Sequence, residues 1–188
     1  MKITIIGGGY VGLVTGACFA DSGHTVTLVE VDPAKVRTIN EKRAPIFEPG
    51  LEDILMRTTG KNLRATLSYD SVSTSALIFI CVGTPPNEDG STNLTYVESA
   101  SRSIGTALQN TSRYHVVVVK STVPPGTTDT VVRPAVLASS HTTEDEIGFA
   151  MNPEFLREGR AIEDFRNPDR IVIGSSDVRA GDCVAEVY

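Results

Sequence analysis

The chain has 188 residues, 40% hydrophobic and 21% charged, which is one domain's worth of polypeptide of ordinary globular composition and excludes disordered and fibrous classes. With 17 Lys+Arg against 23 Asp+Glu, a net charge of −6 and no long basic run, it offers no footprint for nucleic-acid phosphates or an anionic membrane. Cys18, Cys81 and Cys183 are odd in number and widely spaced with no C-x-x-C pair, which fits a reduced, cytoplasmic protein in which they are small buried residues.

Met1-Lys2 and the apolar stretch Ile3 to Ala20 mimic a secretory signal. Gly7, Gly8, Gly9, Gly12 and Gly16 interrupt that stretch where a turn and a close helix contact would need them, so the protein is expected to be soluble and unprocessed. Val/Ile-rich runs then recur at Ile3–Ile6, Val26–Val29, Leu77–Val82, Val116–Val119, Ile147–Met151 and Ile171–Ile173, with Leu63–Leu67 as an additional strand. Being apolar on successive residues, they predict strands covered on both faces, the habit of a parallel sheet.

Helical segments alternate with them. Tyr10–Ser22 carries small residues for close packing on a sheet, and Asp32-Pro33 reads as an N-cap and first-turn proline opening a helix through Glu41. Further helices are predicted over Leu51–Thr58, Leu94–Leu108 and Thr127–Ser139, with Asn93 and Thr127 as caps. The alternation predicts an α/β fold with a doubly wound parallel sheet over residues 1–175. Residues 176–188 read as the start of a connecting helix with little after it to pack against, as at a cut inside a longer protein.

Gly7-Gly8-Gly9-Tyr10-Val11-Gly12 fits G-x-G-x-x-G between a predicted strand and helix, the context in which the motif binds a dinucleotide in a Rossmann-type domain. Gly7 permits the tight turn, Gly9 lets a pyrophosphate approach the backbone, and Gly12 lets the helix pack on the sheet. Glycines alone are equally served by a ligand-free turn, but Glu30 ends the second strand about 20 residues on, where an acidic side chain binds an adenosine ribose. Its carboxylate would repel a 2′-phosphate, so NAD is favoured over NADP. Lys35 and Arg37 read as a solvated helix face, or Lys35 as reaching the pyrophosphate.

Ligands of open parallel sheets lie beyond the carboxyl ends of the strands. There the sequence puts Gly83-Thr84-Pro85-Pro86, Lys120-Ser121-Thr122-Val123-Pro124-Pro125-Gly126 and Asn152-Pro153-Glu154. Prolines stiffen such loops; Thr84 and Thr122 could hold a nicotinamide ribose or a reacting alcohol, or cap helices; Glu154 could relay a proton, or cap the segment that follows.

GGGYVGLVTG, FICVGTPP, VVKSTVPPGTT, MNPEFLREG and NPDRIVIG, in that order, together resemble the NAD-binding domain of the UDP-glucose/GDP-mannose dehydrogenase family over nearly the whole chain. The resemblance implies NAD-dependent oxidation of the C6 alcohol of a nucleotide sugar to a uronic acid, through an aldehyde and a cysteine thioester, with two NADH formed. It also implies NAD contacts from Gly7, Gly9, Tyr10, Val11, Gly12, Glu30, Lys35, Gly83, Thr84, Ser121, Thr122 and Glu158. Substrate contacts come from Glu154, Phe155, Leu156, Arg157 and Glu158, and proton handling from Thr122 and Glu154.

Glu30 stands where the family usually has aspartate, and Asn167-Pro168-Asp169-Arg170 favours the UDP-glucose branch. The family's nucleophilic cysteine lies in a G-F-G-G-x-C-type motif, which this sequence lacks, so the chain alone is expected to be inactive; the full-length protein is expected to be a homodimer, and no metal is expected. A stand-alone NAD-binding regulatory module, or another Rossmann dehydrogenase of the short β-hydroxyacid type, are the competing readings. A regulator would have no use for the Lys120-Ser121-Thr122 and Asn152-Pro153-Glu154 segments.

Overall fold

A computed structural model describes residues 1–143 and 145–188. Seven strands form one sheet in the order β3-β2-β1-β4-β5-β6-β7, with β1 Lys2–Ile6, β2 Thr25–Val29, β3 Leu63–Thr66, β4 Leu77–Ile80, β5 His115–Val119, β6 Ile147–Met151 and β7 Gly174–Ser175. The first six run parallel, while β7 pairs antiparallel with β6.

Side chains of a strand alternate between faces, so an unbroken apolar run feeds two cores at once. Ile3, Ile5, Leu28, Phe79, Val116 and Val118 pack on one side with α1 (Tyr10–Asp21), α3 (Leu51–Thr58), α6 (Ala161–Arg166) and α7 (Val178–Ala185). Ile6, Ile78, Ile80, Val117 and Val119 pack on the other with α4 (Thr95–Ala107) and α5 (Arg133–Ser140). This is the doubly wound Rossmann arrangement. Truncating a fully buried side chain such as Phe79 would cost about 3–5 kcal/mol.

The chain leaves β1 for β2 and β3 on one side, then returns to β4 on the other, so the strand order reverses beside β1. That reversal opens a crevice at the carboxyl ends of β1 and β4, directly above the glycine turn. Helix α1 is buried along its length from Gly12 to Ala20, which explains why its sequence has small residues all round instead of one apolar stripe. Helix α2 (Pro33–Asn40) starts as expected: Asp32 caps it by accepting from the Ala34 N–H at 2.8 Å, with proline in its first turn.

Several expectations are corrected. Ile171–Ile173 is not a strand; Ile171 and Val172 are partly exposed, and the only ladder there is the two-residue β7 that follows. β4 ends at Ile80, before Cys81 and Val82. The helix expected over Thr127–Ser139 is present, opening as a π-helical turn at Thr128–Val132 that runs into α5, and Thr127 holds its N-cap position; the side-chain cap is not made, because the Thr127 hydroxyl turns back to the Pro124 carbonyl at 2.7 Å. Leu94 occupies the cap position of α4, although Asn93 does accept from the Thr95 N–H at 2.9 Å. The terminal segment is helical as expected, and it packs on the chain that precedes it: α7 buries Ala180 and Val184 in the main core, and Val187 joins them. No helix among the described residues is long and apolar enough to cross a membrane.

Candidate functional site

The turn after β1 is built by its glycines and by Glu30. Gly7 has φ +104°, and a Cβ there would lie 2.6 Å from the Cys81 carbonyl oxygen. Gly12 is tighter still, with a notional Cβ 1.9 Å from the Gly7 carbonyl oxygen. At Gly9 the same atom would meet nothing within 4 Å. Two of these glycines are therefore demanded by the fold, while the third keeps a space open that no protein atom fills. Gly9 heads α1 without any side-chain cap, and the N–H groups of Tyr10 and Val11 have no acceptor within the helix. Unpaired donors at the positive end of a helix dipole are what a diphosphate needs.

Glu30, 6% exposed, closes the other side of the turn. One carboxylate oxygen accepts from the Gly8 N–H at 2.9 Å, the other from the N–H groups of Val31 and Asp32 at 2.7 and 3.0 Å. These three donors fix the carboxylate, and an ionised carboxylate has lone pairs to spare for a pair of sugar hydroxyls. Lys35 stands 3.9 Å from the Glu30 oxygen that binds Gly8, a partner that a reading of Lys35 as a solvated helix face did not include.

The loops after β4 and β5 are stitched to each other. The Thr84 hydroxyl donates to the Thr122 carbonyl at 2.8 Å, and the Ser121 hydroxyl to the Val82 carbonyl at 2.7 Å. Those hydroxyls thus set the shape of the crevice wall, with their oxygens still able to accept. Gly83 is exposed, Thr84 half-buried and Thr122 exposed.

Beyond β6, Glu154 to Arg157 line a cavity of about 430 Å³ together with Phe165, Arg170 and Tyr188. One Glu154 oxygen accepts from the Leu156 N–H at 2.6 Å, which holds the turn of its own loop. Arg157 is fastened by its guanidinium and its own N–H to Asp164, which pulls the Asp164 pKa down to about 2. Phe155 is 53% exposed, and Glu158 is exposed at the loop's far end.

Two residues with no role of their own in the sequence-based site, Lys120 within the loop after β5 and Glu48, matter to its geometry. Lys120, 4% exposed, forms part of the cavity floor, where it donates to Asn152 Oδ1 at 3.1 Å and the Tyr188 hydroxyl at 3.0 Å. Burial lowers its pKa. Glu48 sits between α2 and α3, 5% exposed, and accepts from the Tyr10 hydroxyl and from the Gly159 and Ala161 N–H groups. Burial and that hydrogen bond push the Tyr10 phenol up to about 12. Pro49-Gly50 after Glu48 reads locally as a solvated turn, so no local signal singles it out; Lys120 at least ends an apolar strand.

The three cysteines are no reactive centre. Cys18 and Cys81 are buried and Cys183 is partly so; burial pushes the first two thiols up to about 12. Among the described residues no cluster of His, Cys, Asp and Glu could hold a metal.

Residues 1–188 match the NAD binding domain of the UDP-glucose/GDP-mannose dehydrogenase family from end to end. The chain belongs to this family. It is 47% identical over 194 residues to the UDP-glucose 6-dehydrogenase of Rhizobium meliloti, a match covering 100% of the chain and 43% of that relative. It superimposes on a ternary complex of GDP-mannose dehydrogenase from Pseudomonas aeruginosa with a TM-score of 0.97 at 42% identity, covering 100% of the chain and 44% of that protein. A UDP-glucose dehydrogenase from Pyrobaculum islandicum gives 0.95 at 45%, covering 100% and 43%. The chain thus spans less than half the length of these relatives.

The family domain takes NAD, and the turn fits it: the open space at Gly9, the unpaired first-turn amides and the Glu30 carboxylate are the donor and acceptor set a dinucleotide diphosphate and ribose require. Membership of this family makes the chain the NAD-binding domain of a UDP-glucose/GDP-mannose dehydrogenase family member.

Proposed function

We propose that this domain serves an enzyme that oxidises the C6 primary alcohol of UDP-glucose to UDP-glucuronate with two NAD. The observation that carries the reading is the convergence, at the carboxyl ends of β1, β4, β5 and β6, of an open glycine turn and three loops bearing Thr84, Ser121, Thr122 and Glu154. Bound NAD supplies the hydride acceptor for each oxidation. Gly9 and the first-turn amides of Tyr10 and Val11 take its diphosphate, with Gly7 and Gly12 shaping the turn, Lys35 reaching the pyrophosphate and Glu30 at the adenosine ribose. Gly83, Thr84, Ser121, Thr122 and Glu158 frame the nicotinamide half.

In this reading residues 154–158 hold the sugar. Glu154 has one carboxylate oxygen bonded to Leu156 and the other free to accept a proton from the alcohol or a hydrolytic water, with Thr122 orienting that water. The thiol nucleophile is proposed to come from outside this chain: a nucleophile must be an accessible thiolate, Cys18 and Cys81 are buried thiols pushed up to about 12, and Cys183, its thiol also raised by burial, lies on α7 and is not among the residues that line the cavity. The enzyme is proposed to be a cytoplasmic homodimer.

UDP-glucose is put ahead of GDP-mannose on the Asn167–Gly174 segment. The test supplies the polypeptide that carries this chain with NAD and either nucleotide sugar and follows NADH. Two NADH per UDP-glucose are expected; turnover of GDP-mannose alone would overturn the choice of sugar. The 188-residue chain by itself is expected to bind NADH in calorimetry and to oxidise neither sugar.

A further inference from the structure

The cofactor turn and the proposed substrate loop are more than 140 residues apart in sequence, yet one buried carboxylate ties them together. Glu48 accepts the Tyr10 hydroxyl from the first residue of α1, the Gly159 N–H at 2.8 Å and the Ala161 N–H at 2.9 Å. The Gly159 N–H also lies 3.2 Å from the Tyr10 hydroxyl, so phenol, carboxylate and amide form a closed set. Glu48 itself stands on a firm base, since its carbonyl accepts from the Leu51 N–H at 3.1 Å in the turn that opens α3. Ala161 begins α6, whose cap residue Arg160 provides no side-chain cap. Glu48 supplies the missing acceptor from a distant part of the chain.

The 154–158 loop is consequently pinned at both ends. Asn152 is held at its start by Lys120 and by its own N–H to the Val119 carbonyl, and Gly159 is held at its end by Glu48. The second anchor runs through Tyr10, whose backbone N–H is among those offered to the diphosphate.

From this we infer that Glu48 is a positioning residue that couples coenzyme binding at the glycine turn to the placement of the Glu154–Glu158 loop. The inference rests on the NAD and loop assignments made above. A diphosphate seated on the first turn of α1 fixes the Tyr10 backbone and with it the ring. The hydroxyl is a member of the Glu48 set, so the Gly159 and Ala161 amides register the event. Coupling of this kind is a difference in free energy between two sites and must act in both directions; spatial intermediacy alone would not establish it.

The test is NADH titration of the ¹⁵N-labelled chain followed by amide NMR. In the unaltered chain the Gly9 and Gly12 resonances and those of Gly159 and Ala161 are expected to shift together, with one half-saturation point. In Glu48→Gln, whose amide keeps one acceptor oxygen and sets an NH2 group against either the Gly159 or the Ala161 N–H, the first pair still shifts, the second pair does not, and NADH binds about fivefold more weakly. In Tyr10→Phe, which leaves both backbone donors on Glu48 but removes the hydroxyl 3.2 Å from the Gly159 N–H, the ligand-free Gly159 resonance moves, Ala161 keeps its ligand-free position, and both lose their response to NADH; a merely structural role for Glu48 would leave that response intact.

Shifts at Gly9 and Gly12 with none at Gly159 and Ala161 in the unaltered chain would overturn the coupling and leave the cofactor reading standing. Unchanged responses in both variants would do the same. No shift at any of the four on adding NADH would overturn the cofactor reading and the coupling with it.

Discussion

Gly12 and Gly7 are in contact through an absence: a methyl on Gly12 would fall 1.9 Å from the Gly7 carbonyl oxygen, whereas one on Gly9 would touch nothing. Gly12→Ala is therefore expected to destabilise the domain by about 2 kcal/mol or more, as overpacking against backbone does. Gly9→Ala, at a φ of −72° that alanine adopts readily, should leave the thermal midpoint unchanged and weaken NADH binding at least about tenfold. Thermal melts and calorimetry on the two variants separate the fold's glycine from the ligand's; equal NADH affinity in Gly9→Ala and the unaltered chain would refute the diphosphate assignment.

Glu30 holds three backbone N–H groups, and in the proposed reading its carboxylate also meets the adenosine ribose. The unaltered chain should bind NADH at least about tenfold more tightly than NADPH, since a 2′-phosphate would be brought against a buried carboxylate. Glu30→Gln should narrow that gap and also lower stability by about 1–3 kcal/mol, because an amide cannot accept all three donors. Competition binding with the two coenzymes reads the first effect and denaturant unfolding the second.

The Arg157–Asp164 pair carries a pH signature. The Arg157 guanidinium, and after it the Arg157 N–H, hold the Asp164 carboxylate at a pKa of about 2, below its usual 3.8. A carboxylate depressed on folding stabilises fully above its unfolded pKa and loses that contribution as pH falls through its folded one. The melting temperature should accordingly drop between about pH 4 and pH 2, and Asp164→Asn should flatten part of that drop. Asp21, lowered in the same direction by Arg57, accounts for a further part. An identical acid profile for Asp164→Asn would show that the pair contributes nothing to stability.

Thiol labelling tests the exclusion of an internal nucleophile. At about pH 8, Cys183 should react first with an aromatic disulfide reagent, while Cys18 and Cys81, with thiols near 12, should react only once denaturant opens the core. Fast labelling of Cys81 in the folded chain would mean that the carboxyl end of β4 is open to solvent and would reopen its candidacy as a reactive group.

Much of the architecture is legible locally. Runs such as Leu77–Ile80 and Val116–Val119 are apolar on every residue because both faces of their strands are covered, and Asp32-Pro33 opens a helix wherever it lies because cap and φ are set by those two residues alone. The glycine turn belongs to the same class, as does the acid at the end of β2. Ile171–Ile173 shows where such reading stops: the run has strand composition, but whether it pairs depends on what the edge of β6 offers, and the edge takes Gly174–Ser175 instead. Thr127 fails similarly, since its hydroxyl chooses the Pro124 carbonyl over a helix N–H only once the proline loop has its shape.

By itself, then, the order of residues determined the strands, the coenzyme turn and the chemical types gathered at one edge of the sheet, because each depends on neighbours a few positions away. Tertiary structure alone decided that Glu48 would meet Tyr10 and Gly159, that Lys120 would lie beneath the cavity with Asn152 and Tyr188, and that α7 would fold back onto β5 and β6. Those contacts join segments separated by tens of residues, and a buried charge finds its partners only after the chain has brought them within hydrogen-bond reach.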